Sequence, residues 1–210
     1  MINNIEKKEF IFNIFLIFLL AIHISAYSPY LIESFFWFCH INLYLTIFGV
    51  LFNNKLMVSM AFVGGIVRIS IWIFDFIINL FIKNEYIDFT NLAPSLYMFD
   101  PKTSLIIKVI NFYHLLIPVI LIIYLKKLGY DSRAFLYYSI LFLIVMLISY
   151  FFTIKSNNIN FVFSASKFNW SISDLQWFLF CLIFEPILFF LPAHFFCSYY
   201  FLKQKKLIKK

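Results

Sequence analysis

An all-α bundle that crosses a membrane six times is the fold class predicted for this chain, and two observations predict it. Hydrophobic residues make up 63% of the 210 positions and charged ones only 13%, with a mean hydropathy of +0.91. A soluble domain of this length has too little interior to hide so much apolar side chain. The apolar residues also gather into six stretches close to the roughly 20 residues that a bilayer core requires.

Those stretches are residues 10–27, 34–52, 56–82, 105–125, 134–154 and 175–202. Each is expected to be helical, since a strand in lipid would leave backbone donors and acceptors unpaired. The first follows Lys7 and Lys8 and resembles a signal peptide, but its apolar run is long and Ile24 suits a cleavage site poorly, so it reads as a span. The third and sixth are long enough to tilt or to end outside the core. No linker or repeat divides the chain, so residues 1–210 are expected to form one six-span domain.

Orientation follows from basic residues in the loops. Eleven of them (Lys7, Lys8, Lys55, Lys126, Lys127, Arg133 and five in the tail) fall on the side of the termini, against Lys83, Lys102, Lys108, Lys155 and Lys167 opposite. Both termini are therefore expected in the cytoplasm, with the protein in a bacterial inner membrane. The net charge of +7 reads as topology, and the basic tail as a contact for anionic lipid headgroups; nothing points to nucleic acid. Thirty-one phenylalanines against two arginines suggest a bias in nucleotide composition, which makes Arg68 more informative than any single aromatic residue.

Two longer loops, residues 83–104 and 155–174, lie on the predicted outer side, and their aromatic content favours packing back onto the bundle. Cys39, Cys181 and Cys197 all fall within spans at no metal-binding spacing, so neither a disulfide framework nor a cofactor is implied.

Ionisable residues inside the spans carry the functional signal. Each of His40, Arg68, Asp75, His114 and Glu185 costs roughly 2.5 to 3.5 kcal/mol at the bilayer centre unless it has a partner, water or a role. In the third span Gly64, Arg68, Asp75 and Asn79 fall within about 60° of one another on a helix. That stripe reads either as a packing seam, with Arg68 paired to Asp75 or Glu185, or as the wall of a site. Asn111, His114 and Pro118 share a face in the fourth span. In the second, His40 and Tyr44 share one face, and Cys39, Asn42, Thr46 and Gly49 another. With His23, these residues outline an outward-opening polar cavity beneath the two loops.

The run Trp37-Phe38-Cys39-His40-Ile41-Asn42-Leu43, then Phe112-Tyr113-His114, Leu128-Gly129-Tyr130 and Asn157-Asn158-Ile159-Asn160-Phe161, resembles the YwaF-type bacterial integral membrane proteins across about residues 34–165. That family has a His-x-Cys motif on one helix and a second histidine on a later one, and eukaryotic relatives are proposed to move acyl chains between phospholipids. His40 and His114 fall on the histidine positions, whereas Asn42 stands where the cysteine would be. The resemblance implies acyl transfer or hydrolysis on a membrane lipid, with His40 and His114 as acid and base, Asp75 orienting them and Asn42 as oxyanion donor.

Two other readings compete. His40, Asp75, His114 and His194 could be read as the zinc ligands of a ceramidase-like hydrolase, although the paired HxxxH of that class is absent. Arg68, Asp75 and Glu185 could form the charge relay of a small transporter, and buried polar groups in a non-catalytic assembly protein would only fix helix register.

Overall fold

The computed structural model describes residues 4–28, 32–81, 94–163 and 171–202, and every regular element among them is helical. Helix α1 (Asn4–Tyr27) leads to a short 3-10 turn (Ile32–Phe36), α2 (Phe38–Leu51) and α3 (Lys55–Phe81). Another 3-10 turn (Leu96–Met98) precedes α4 (Leu105–Asn111) and α5 (Tyr113–Leu128), which together make one crossing. Then come α6 (Ala134–Phe152), two 3-10 turns (Lys155–Asn157 and Ile159–Phe161) and α7 (Asp174–Glu185). A π-helical turn (Pro186–Phe190), α8 (Leu191–Cys197) and a second π turn (Ser198–Leu202) complete the last crossing.

Among the described residues, five helical stretches are long and apolar enough to span a bilayer: Lys7–Tyr27, Lys55–Phe81, Leu105–Leu128, Ala134–Phe152 and Asp174–Phe201. The protein is thus a multi-pass, all-α membrane protein. The second predicted span is the exception. Its α-helix has only 14 residues, a length of about 21 Å against a core of about 30 Å, because residues 32–36 wind as 3-10 and Trp37 is extended. Protein covers most of α2: Phe38, His40, Asn42, Leu43, Ile47 and Val50 are all buried, and α1, α3 and α5 pack on it. Irregular backbone at membrane depth is tolerated where protein rather than lipid encloses it.

The loop after α6 fixes where α2 begins. Asn160 accepts the Phe38 amide through Oδ1 at 3.0 Å and donates through Nδ2 to the Phe36 carbonyl and to Ser149 Oγ. Glu33 accepts from the Ile154 amide at 3.0 Å and from Asn157 Nδ2 at 2.8 Å. Trp177 of α7 donates to the Phe161 carbonyl at 2.8 Å. Asn158 and Asn160 supply left-handed backbone with φ of 42° and 55°, a conformation asparagine adopts at lower cost than most residues. The described part of this loop therefore folds back on the bundle, as its composition predicts.

At the other end α2 turns tightly into α3. Asn54 donates its amide to the Gly49 carbonyl at 2.8 Å and accepts the Met57 amide through Oδ1 at 3.1 Å, which caps α3. Higher on α3, an added Cβ at Gly64 would lie 1.8 Å from the Tyr138 ring, and one at Gly65 would lie 2.9 Å from the Asn42 side chain. The small-residue seam expected at Gly64-Gly65 is present, with α6 closing on one glycine and α2 on the next.

Candidate functional site

A cavity of about 870 Å³ opens between α2, α3, α4, α5 and α7. It runs from Lys102, Thr103 and Ser104 on the loop side to Arg68 and Glu185, near the middle of their crossings. Below Glu185 the last crossing packs on α3, whereas above it α7 packs on α6. The divergence leaves a lateral wall of Ile71, Phe184 and Leu188, the last two 42% and 55% exposed, so the cavity reaches the lipid-facing surface.

The histidines stand on the inner wall. His40 is held through Nδ1 by the Ser34 carbonyl at 2.7 Å, and His114 through Nδ1 by the Asn111 carbonyl at 2.8 Å. A carbonyl only accepts, so in each neutral ring the proton sits on Nδ1 and the lone pair on Nε2. Both rings line the cavity and both contact Tyr113, His40 at 6.4 Å between centroids and His114 stacked at 4.2 Å. Trp72 stacks on His114 at 4.3 Å. Asn111 donates to the Tyr27 hydroxyl at 2.8 Å, and the Tyr27 ring lies 4.4 Å from His40. On the far side of His40 is His23, at 4.4 Å and hydrogen-bonded to the Tyr44 hydroxyl at 3.2 Å.

Asn42 lines the same cavity two residues from His40 and is wholly buried, yet neither end of its amide has a hydrogen bond of proper geometry. Tyr138, beside it, is likewise buried, its hydroxyl turned toward the Asn42 amide without a hydrogen bond of proper geometry. Leaving such groups unpaired costs roughly 1 to 3 kcal/mol each. The Asn42 amide therefore keeps hydrogen-bonding capacity for a ligand in the cavity that it lines.

Asp75 is placed differently from the expectation that it orients the histidines. Its carboxylate accepts from the Ser95 hydroxyl at 2.6 Å, the Ser95 amide at 3.0 Å and Asn79 Nδ2 at 3.2 Å. Backbone carbonyls orient the histidines instead, and Asp75 anchors the loop that carries Pro94 and Tyr97 to the cavity mouth. Tyr97 stays a neutral phenol there, since burial pushes its hydroxyl well above the ordinary range.

Of the two pairings expected for Arg68, the structure contains the one with Glu185. Arg68 also donates to the Gly64 carbonyl at 2.9 Å and lies over Phe38, Phe190 and Phe189 at 4.7, 4.9 and 5.0 Å. A straight helix would put Glu185 and His194 on opposite faces. The π turn after Glu185 rewinds the chain so that Glu185 meets α3 while His194 Nδ1 meets the Tyr130 hydroxyl at 2.6 Å, at the opposite end of the bundle from the histidine pair. With His194 there and Asp75 on Ser95, the four-residue zinc reading does not assemble. Among the described residues no three histidine, cysteine or carboxylate side chains are grouped to hold a metal. The expected charge relay is divided too, into an Arg68–Glu185 pair and an Asp75–Ser95 anchor.

Sequence reasoning missed the aromatic frame of Tyr27, Trp72, Tyr97 and Tyr113. In a chain that is 23% aromatic, no single ring carries a signal. Comparison of the chain with protein-family models, with curated proteins and with solved structures gives no match to any of the three.

Proposed function

We propose that this protein binds a membrane lipid through the lateral opening and transfers or hydrolyses one of its acyl chains, at the face of the bundle away from the termini, in a bacterial inner membrane with both termini cytoplasmic. The observation that carries the reading is Asn42, a fully buried amide with no hydrogen bond of proper geometry at either end, lining the same cavity as two histidines fixed with their lone pairs on Nε2. The acyl chain lies along Phe180, Phe184 and Leu188, and the ester carbonyl beside Asn42. His40 or His114 takes the proton of an attacking hydroxyl or water through Nε2 as the oxygen bonds to the carbonyl carbon. Asn42 Nδ2–H steadies the oxyanion; the carbonyl then re-forms, the ester C–O bond breaks, and the imidazolium returns its proton to the departing alcohol. With asparagine in the position the resemblance assigns to cysteine, a direct transfer needs no covalent acyl-enzyme.

The test is reconstitution of the purified protein into liposomes of two phospholipids with distinguishable acyl chains, followed by mass spectrometry of exchanged species and free fatty acid. Wild-type protein is expected to change the lipid profile, His40→Ala and His114→Ala to slow it about 100-fold or more, and Asn42→Ala by about 100-fold. An unchanged profile with folded wild-type protein, or turnover undiminished in all three variants, overturns the proposal.

A further inference from the structure

We propose a second, separate lipid site: a groove at the termini side of the bundle that seats one acyl chain of an anionic phospholipid with its phosphate on Lys126. The groove has a volume of about 580 Å³ and lies between α3, α5 and α8. Its walls are Phe62, Ile66 and Val67 of α3, Ile122 of α5, and Pro192 and Phe196 of α8. The groove stays open at its floor because Ala193 presents only a methyl group there.

Charge selects the occupant. Lys126 lines the groove and is exposed in the last turn of α5, where the chain leaves the apolar core. The neighbouring Lys127 donates to Glu9 at 2.8 Å, Arg133 is taken by Asp131 at 2.9 Å and Glu185 is taken by Arg68. No carboxylate among the described residues pairs with Lys126. An unpaired ammonium at the headgroup level, above a slot lined by aliphatic and aromatic side chains, matches an anionic diacyl lipid. Tyr200 adds an interfacial phenol, 41% exposed and stacked on Phe196 at 6.0 Å between centroids. The groove shares no lining residue with the histidine cavity, so this site stands whether or not that cavity is catalytic.

Native mass spectrometry of the detergent-purified chain, with phosphatidylglycerol or phosphatidylcholine of identical acyl chains added, tests the assignment. Wild-type protein is expected to retain phosphatidylglycerol preferentially. Lys126→Gln should lower that retention about fivefold, the equivalent of one basic contact at the surface, while Lys108→Gln on the other side leaves it unchanged. Ile122→Trp, a change at a position already facing lipid, should fill the groove and lower retention of both lipids. Equal retention of the two lipids by wild type, or undiminished phosphatidylglycerol retention in Lys126→Gln, overturns the headgroup assignment. A dimer that Ile122→Trp dissociates, in place of a lipid adduct, overturns the lipid and makes the groove an interface between copies.

Discussion

Helix α3 is built in two ways along its length, and the contrast separates what holds the protein together from what leaves room for a ligand. From Val58 to Gly65 it presents Ser59, Ala61, Gly64 and Gly65 to its neighbours, and α2 and α6 close on the two glycines. From Arg68 to Asn79 its inward residues are large or polar, and the neighbouring helices stand off to leave the cavity. Helix packing in lipid gains little from hydrophobicity and depends on close fit. The glycine half therefore supplies cohesion, and the cavity half gives up close packing to leave room for a ligand.

Substitutions that break this contrast should rank by how far they intrude on the closed half. The largest effect belongs to the boundary: Glu185→Leu strands the Arg68 guanidinium among phenylalanines and should cost about 3 to 5 kcal/mol, read from unfolding midpoints in detergent. The double change Arg68→Met with Glu185→Leu should recover most of that loss. Within the closed half, Gly64→Ala drives a methyl into the Tyr138 ring and is expected to cost up to about 3 kcal/mol. Tyr138→Phe, which leaves the ring in place, should not relieve it.

The open half should respond differently. Asn160→Ala removes the cap on α2 and two further hydrogen bonds, and should cost about 1 to 2 kcal/mol with a fall in lipid turnover, since Ser34 and His40 sit beside that start. Asn42→Leu should leave stability within about 1 kcal/mol of wild type or raise it, because both amide ends are already unpaired, while abolishing turnover. Loss of stability in Asn42→Leu comparable to that in Gly64→Ala would make Asn42 a packing residue of the glycine seam rather than a residue kept for the cavity. The smallest effect concerns acid. Arg133 beside Asp131 holds that carboxyl below the usual range, so the pair contributes its stability above the unfolded carboxylate value and loses it as pH falls through the lower folded value. The melting midpoint should therefore not fall on this account between about pH 8 and pH 5.

Much of the architecture was legible in the sequence because lipid demands long apolar helices, and the polar stripe on α3 was legible because 100° spacing places Arg68 and Asp75 on one face. The break before α2 was not. Residues 34–52 are apolar throughout, and only the distant Asn160, reaching Phe38 from over 120 positions away, decides where the helix begins. Asp75 was correctly seen as interior, but its partner Ser95 belongs to a loop whose path no periodicity records. Glu185 illustrates a third limit: Pro186 and Pro192 mark the last span as irregular, yet a π turn rather than a simple kink is what turns the carboxylate onto Arg68. His40 and His114 stood out by residue type alone, whereas the carbonyls that fix their tautomers belong to backbone and have no sequence signature.

The π turn at Pro186–Phe190 also sets a rule for insertions and deletions. It holds one residue more than an α turn would, so it works as a phase adjuster between two contacts, Glu185 with Arg68 and His194 with Tyr130. Removing a single residue there would let the segment wind as ordinary α-helix and rotate one end against the other by roughly 100°. Either contact could then survive, but not both, and at positions other than these two contacts the last crossing tolerates point changes far better than a change in its length.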